Sequence, residues 1–98
     1  MIFNKEEILS LLKNLKSEIK TKFRVKNLGL FGSYVKKELQ EASDIDILVD
    51  FEEDADLFHL IGLSLFLEEN FNVKVDVVSK SALKEELRDN ILQEVIYA

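Results

Sequence analysis

Residues 44–51 read Asp, Ile, Asp, Ile, Leu, Val, Asp, Phe, and this largely alternating stretch constrains the chain more than any other. Successive side chains of an extended strand point to opposite faces, so Ile45, Ile47 and Val49 share one face while Asp44 and Asp46 share the other. The apolar face belongs against a core. The acidic face needs its own reason, because Asp is a poor strand former and two carboxylates at i and i+2 stand only about 6–7 Å apart.

The rest of the chain supplies partners for such a strand. From Asn4 to about Phe23, Ile8, Leu12, Leu15 and Ile19 recur at helical spacing with Lys and Glu between them, and Asn4 with Glu7 has the spacing of a capping box. Val25–Phe31 reads as a short buried strand, and Ser33 to about Gln40 as a helix starting abruptly after Gly32. Leu57–Leu67 is apolar almost throughout, with His59, Gly62 and Ser64 as exceptions. A helix apolar all round is expected to be covered on more than one side; either it is enclosed in the core or its surplus surface docks a partner protein. Asn70 and Asn72 flank Phe71 as turn residues, and Val73–Val78, β-branched at four of six positions, reads as a third strand carrying Asp76. From Ser81 onward Leu83, Leu87, Ile91 and Val95 repeat at helical spacing, with a candidate break at Asp89-Asn90. The order predicts an α/β or α+β fold, a short mixed β-sheet with helices packed against it, as one domain over residues 1–98.

Composition narrows the function classes. With 98 residues, 47% hydrophobic and 33% charged, the chain reads as one soluble globular domain. No apolar run reaches the roughly 18–20 residues that span a bilayer and no signal peptide is visible, so a membrane partner is not expected. The absence of Cys removes disulfides and thiolate metal sites, and a cytoplasmic address is expected. A net charge of -6 repels a long phosphate backbone, so direct nucleic-acid binding is not expected either. With one His and no Cys, Asp and Glu are the plentiful ligands, and all-oxygen sites prefer magnesium, manganese or calcium.

Gly32-Ser33 lies at a strand-to-helix junction, where a missing Cβ and unpaired helix N–H groups admit a phosphate. Alone, such a pair is more often a simple helix cap. Asp44 and Asp46 follow after ten intervening residues, and Asp76 adds a third carboxylate between Val75 and Val77, which face opposite to it. The bland alternative is an acidic edge strand that discourages aggregation. A divalent cation would relieve the repulsion, because hard cations take carboxylates together with substrate phosphates.

Gly32-Ser33, the ten-residue gap, Asp44-Ile45-Asp46 and the downstream Asp76 together resemble the MNT-type minimal nucleotidyltransferases of the DNA polymerase beta-like superfamily. The similarity runs from about Leu28 to Ile96 and includes Val75–Ser79 and Arg88-Asp89-x-Ile91-Leu92. The resemblance implies ATP as substrate, with its phosphates on Gly32, Ser33 and Lys36, and Mg²⁺ or Mn²⁺ held by Asp44 and Asp46. Asp76 would serve as third ligand or general base. Many small members are antitoxins paired with a HEPN toxin, and some add AMP to a tyrosine of that toxin. One departure stands out. Similar members carry Arg-Gly-Glu after Gly-Ser-x-Ala, whereas here Val35 is followed by Lys36, Lys37 and Glu38. Lys meets a phosphate as a point charge without the forked geometry of Arg, and Lys37 excludes backbone conformations reserved for Gly.

Other residues have plainer readings. His59, the only imidazole, lacks a His or Cys neighbour and reads as a packed or surface side chain. Of Lys36, Lys37, Lys80 and Lys84 only Lys36 is favoured for phosphate. Tyr34 and Tyr97 are candidate acceptors for self-modification, with packing the favoured role for Tyr34. Glu52-Glu53-Asp54-Ala55-Asp56 reads as a loop and helix-start cluster and not as a second metal site. Two functions follow: an ATP- and Mg²⁺-dependent nucleotidyltransferase that modifies a HEPN toxin, or a binding antitoxin that neutralises the toxin by occlusion.

Overall fold

The computed structural model describes residues 4–32, 35 and 44–98. Helix α1 spans Lys5–Phe23 and begins where the sequence marks it. The Asn4 side chain accepts the Glu7 N–H at 2.7 Å, and the Glu7 carboxylate accepts the Asn4 N–H at 3.3 Å. The helix ends at Arg24, whose φ of 55° turns the chain into β1, Val25–Phe31. Strand β2 covers Ile45–Phe51 and β3 covers Val75–Ser79, with helix α2, Leu57–Phe71, between them. A 3₁₀ turn at Lys80–Ala82, helix α3 at Glu85–Glu94 and a two-residue strand β4, Ile96–Tyr97, complete the chain.

The sheet has the order β3-β2-β1-β4, with β1 antiparallel to both β2 and β4 and β2 parallel to β3. The parallel pair requires a crossover, and α2 provides it. Ile45, Ile47 and Val49 of β2 are fully buried, together with Leu28 and Leu30 of β1, Ile8, Leu12 and Ile19 of α1, and Leu63 and Leu67 of α2. The two helices therefore close over one face of the sheet. At their contact the rings of Phe23 and Phe66 tilt against each other with centroids 5.3 Å apart.

Four expectations are corrected. Helix α2 continues through Asn70 to Phe71, and only Asn72 turns the chain, with φ 57° and its N–H on the Glu68 carbonyl at 2.7 Å. The same helix is not covered all round. Leu63 and Leu67 face the core, but Leu57, Phe58, Ile61 and Leu65 are exposed, Phe58 by 82%. One side of a small sheet covers only one stripe of a helix. Helix α3 begins at Glu85, after Leu83, and runs through Asp89-Asn90 without a break. It stops at Glu94 because Val95 turns extended and Ile96-Tyr97 pair with the free edge of β1. Gly29 makes that docking feasible: a Cβ there would stand 2.7 Å from Val95 Cγ2 and 2.9 Å from the Ile96 carbonyl oxygen. The helix expected over 33–40 lies outside the described residues, apart from Val35.

Candidate active site

The site is built on the sheet face that α1 and α2 leave uncovered. Register fixes its centre: Asp46 is paired with Asp76 on the parallel neighbour and with Phe31 on the antiparallel one. Adjacent strands lie about 4.8 Å apart, so the two carboxylates stand abreast on the same face. Both are half-buried, while their sequence neighbours Ile45, Ile47, Val75 and Val77 pack into or against the core. The pleat that buries the apolar residues thereby presents the acids.

Gly32 lies directly beyond Phe31, with φ 78°, a conformation that L side chains rarely adopt. A Cβ at this position would fall on the Asp46 carboxylate and stand 3.0 Å from its Cγ. Glycine is thus required twice over, by the turn and by the approach to Asp46. The Val35 N–H closes the turn on the Gly32 carbonyl at 3.0 Å.

Asp44 precedes β2 and is half-buried. Its Oδ2 stands 3.8 Å from the Lys74 Nζ, and the adjacent Ile45 N–H donates to the Lys74 carbonyl at 3.2 Å. An exposed pair at this distance contributes little to stability, but it sets a cation beside the acidic face. Among the described residues no three carboxylate or imidazole groups are gathered closely enough to hold a metal ion. What the described part brings together is Asp46, Asp76 and the Gly32 turn, with Asp44 one strand position further out. Ser33, Tyr34, Lys36 and Lys37 lie outside it.

Other candidates fall elsewhere. His59 is part of a helix cap: its Nδ1 accepts the Asp56 N–H at 3.0 Å, while the Asp56 carboxylate accepts the His59 N–H at 3.2 Å. This is a structural role, in keeping with the sequence reading. Lys80 and Lys84 follow the far end of β3, several residues beyond Asp76. The acidic run 52–56 sits past the far end of β2, where Glu52, Glu53 and Asp56 themselves line a groove of about 500 Å³ together with Phe51, Leu57 and Ser79. Tyr97 lies in β4 opposite Gly29.

Two side chains at the site were not singled out from the sequence. Lys74 is one. The other is Glu94, whose Oε1 accepts the Gly32 N–H at 3.2 Å across a separation of 62 residues. The clue to Glu94 was the β-branched and aromatic triplet Val95-Ile96-Tyr97, which marks a helix-to-strand junction directly after it.

Residues 12–98 match the nucleotidyltransferase domain family. The chain is 47% identical over 92 residues to the protein adenylyltransferase MntA of Thermococcus cleftensis, covering 94% of this chain and 93% of that one. A solved structure assigned as a minimal nucleotidyltransferase superposes with a TM-score of 0.83 at 33% identity, over 96% of this chain and 95% of the other. The fold likeness extends, at 21% identity and a TM-score of 0.65, to a chain in the complex of tri-AMPylated Shewanella oneidensis HEPN toxin with MNT antitoxin, over 91% of this chain and 70% of that one. With the family model spanning residues 12–98 and a relative 47% identical over nearly the whole of both chains, the chain belongs to the nucleotidyltransferase domain family.

Proposed function

We propose that this chain transfers AMP from ATP to a tyrosine hydroxyl of a HEPN-type toxin and thereby acts as its antitoxin. The observation that carries this reading is the pairing of Asp46 with Asp76 on neighbouring strands beside the Gly32 turn. Similarity to a protein adenylyltransferase over nearly the whole of both chains supports the reaction class. The complex that holds an AMPylated HEPN toxin supports the partner. A cytoplasmic address suits a reaction that consumes ATP.

In the reaction, the acceptor oxygen attacks the α-phosphorus of ATP and forms a new P–O bond. The bond from that phosphorus to the oxygen bridging to the β-phosphate breaks, and pyrophosphate leaves. The hydroxyl proton passes to a carboxylate oxygen, a role assigned to Asp76 because it stands on the strand beside the Asp46 pair position. The donor set fits a hard cation: half-buried carboxylates abreast, with oxygen as the only ligand type. Asp46 and Asp76 would hold Mg²⁺ or Mn²⁺ jointly with phosphate oxygens of the substrate, with Asp44, further out along the chain, drawn in as a third ligand, and the cation when bound supplies positive charge to those oxygens. Gly32, Ser33 and Lys36 receive the triphosphate, Gly32 by leaving open the space a Cβ would fill.

A second reading, neutralisation by occlusion, is favoured by the exposed stripe Leu57, Phe58, Ile61 and Leu65, an apolar surface separate from the carboxylates. Lys36-Lys37 in place of the family's Arg-Gly points the same way. Co-expression with the protein encoded next to this chain, followed by intact-mass measurement with ATP in the presence and absence of Mg²⁺, separates the two. A mass gain of one or more AMP units on the partner, lost with Asp46→Asn, supports transfer. A stable complex without mass gain supports occlusion, and neither complex nor mass gain overturns both.

A further inference from the structure

Glu94 is the last residue of α3, and its side chain reaches the one turn on which the site depends. Two features bring it there. Strand β4 pairs with β1 through Gly29↔Tyr97 and Leu30↔Ile96, which places the end of α3 beside the end of β1. Gly29, lacking a Cβ, lets Val95 and Ile96 settle onto the sheet. From this position Glu94 Oε1 accepts the Gly32 N–H at 3.2 Å. The Gly32 carbonyl is held by the Val35 N–H at 3.0 Å, and its Cα faces the Asp46 carboxylate. Every side of this residue is thus engaged, and a charged acceptor makes a stronger hydrogen bond than a neutral one.

We infer that Glu94 is a positioning residue for nucleotide binding: by accepting the Gly32 N–H it fixes the glycine turn against Asp46 and ties the α3–β4 segment to the site. The hydrogen bond stands on geometry alone; its kinetic consequence rests on the adenylyl-transfer reading.

The chain has three glycines, so a sample labelled with ¹⁵N-glycine gives three amide resonances, from Gly29, Gly32 and Gly62. Glu94→Ala and Glu94→Asp, the second one methylene too short to reach, should both move the Gly32 resonance upfield and leave that of Gly62 in place. Glu94→Gln keeps an acceptor oxygen at the same reach and should keep the resonance near its original position. In transfer assays on the full chain with its partner, Glu94→Ala and Glu94→Asp should raise the KM for ATP about tenfold with kcat changed by less than about threefold, the loss expected for one charge-assisted hydrogen bond. Glu94→Gln should restore KM to within about threefold of the unsubstituted protein. Should the Ala variant fail to fold, the Asp variant carries the same comparison. The inference is overturned by an unmoved Gly32 resonance in the folded Ala or Asp variant, by a KM that is unchanged or lower, or by a Gln variant as impaired as the other two. If the unsubstituted protein transfers no AMP, it is the adenylyl-transfer reading that fails, and the Gly32 resonance still decides whether Glu94 holds the turn.

Discussion

The two faces of the β2 strand share one backbone and one set of ladder hydrogen bonds, yet they have opposite surroundings. On one face Ile45, Ile47 and Val49 are 0% exposed beneath α1 and α2. On the other, Asp46 is half-buried, abreast of Asp76 and beside Gly32. The access is local: Leu48, next along the Asp46 face and paired with Gly29, is only 1% exposed, so charge and access govern the Asp46 end of that face while burial governs the opposite face throughout. The pleat separates stability from chemistry at a distance of a single residue.

The sharpest way to break this comparison is to change one face and read both outcomes. Asp76→Asn preserves shape and removes the carboxylate proposed as base and metal ligand, so transfer should fall by about 10²- to 10⁴-fold. Its thermal midpoint should stay close to that of the parent chain; equal transfer rates would return Asp76 to the status of a surface residue. Ile47→Ala, one residue from Asp46, should show the reverse, losing about 2–5 kcal/mol of stability through burial and cavity terms. Denaturant unfolding measures it, and residual transfer per folded molecule should be nearly normal. Gly32→Val belongs to both faces of the argument. It forces a β-branched residue into a left-handed conformation at a cost of about 1–3 kcal/mol, and it also fills the space beside Asp46. Calorimetric titration should find ATP binding abolished in the folded fraction; normal ATP affinity would reduce Gly32 to a turn residue. The smallest effect is expected furthest from the acidic face. Asn4→Ala removes the α1 cap, costing about 1 kcal/mol, or roughly 4–8 °C in a domain of this size. Transfer should be untouched once the protein is folded.

Much of this arrangement is legible in local sequence because it is periodic. The capping box at Asn4 and Glu7, the alternation in β2 and the placement of Asp76 opposite Val75 and Val77 all follow from spacings of two to four residues. The residues that escaped are those fixed by distant partners. Leu87, Ile91 and Val95 keep helical spacing up to a position where the chain has already left the helix, because the open edge of β1 competes successfully for Ile96 and Tyr97. Lys74 meets Asp44 only because β3 lies beside β2, and Glu94 meets Gly32 across 62 residues. For α2, hydrophobicity measures how much apolar surface exists, not how much of it the rest of the fold can reach. Leu57, Phe58, Ile61 and Leu65 are exposed for that reason.

The position of β4 bears on the order in which the molecule assembles. Among the described residues every buried member of the core lies between Ile8 and Val75, so that core draws on α1, β1, β2, α2 and the start of β3. Strand β4 adds no buried residue to that core; it closes a long loop back to β1, and the entropy of such closure rises with the logarithm of loop length. Docking of α3 and β4 thus adds to a core built from the other elements. The core can then form before the Gly32 turn is held by Glu94, so the geometry beside Asp46 is completed by a contact between residues 62 positions apart.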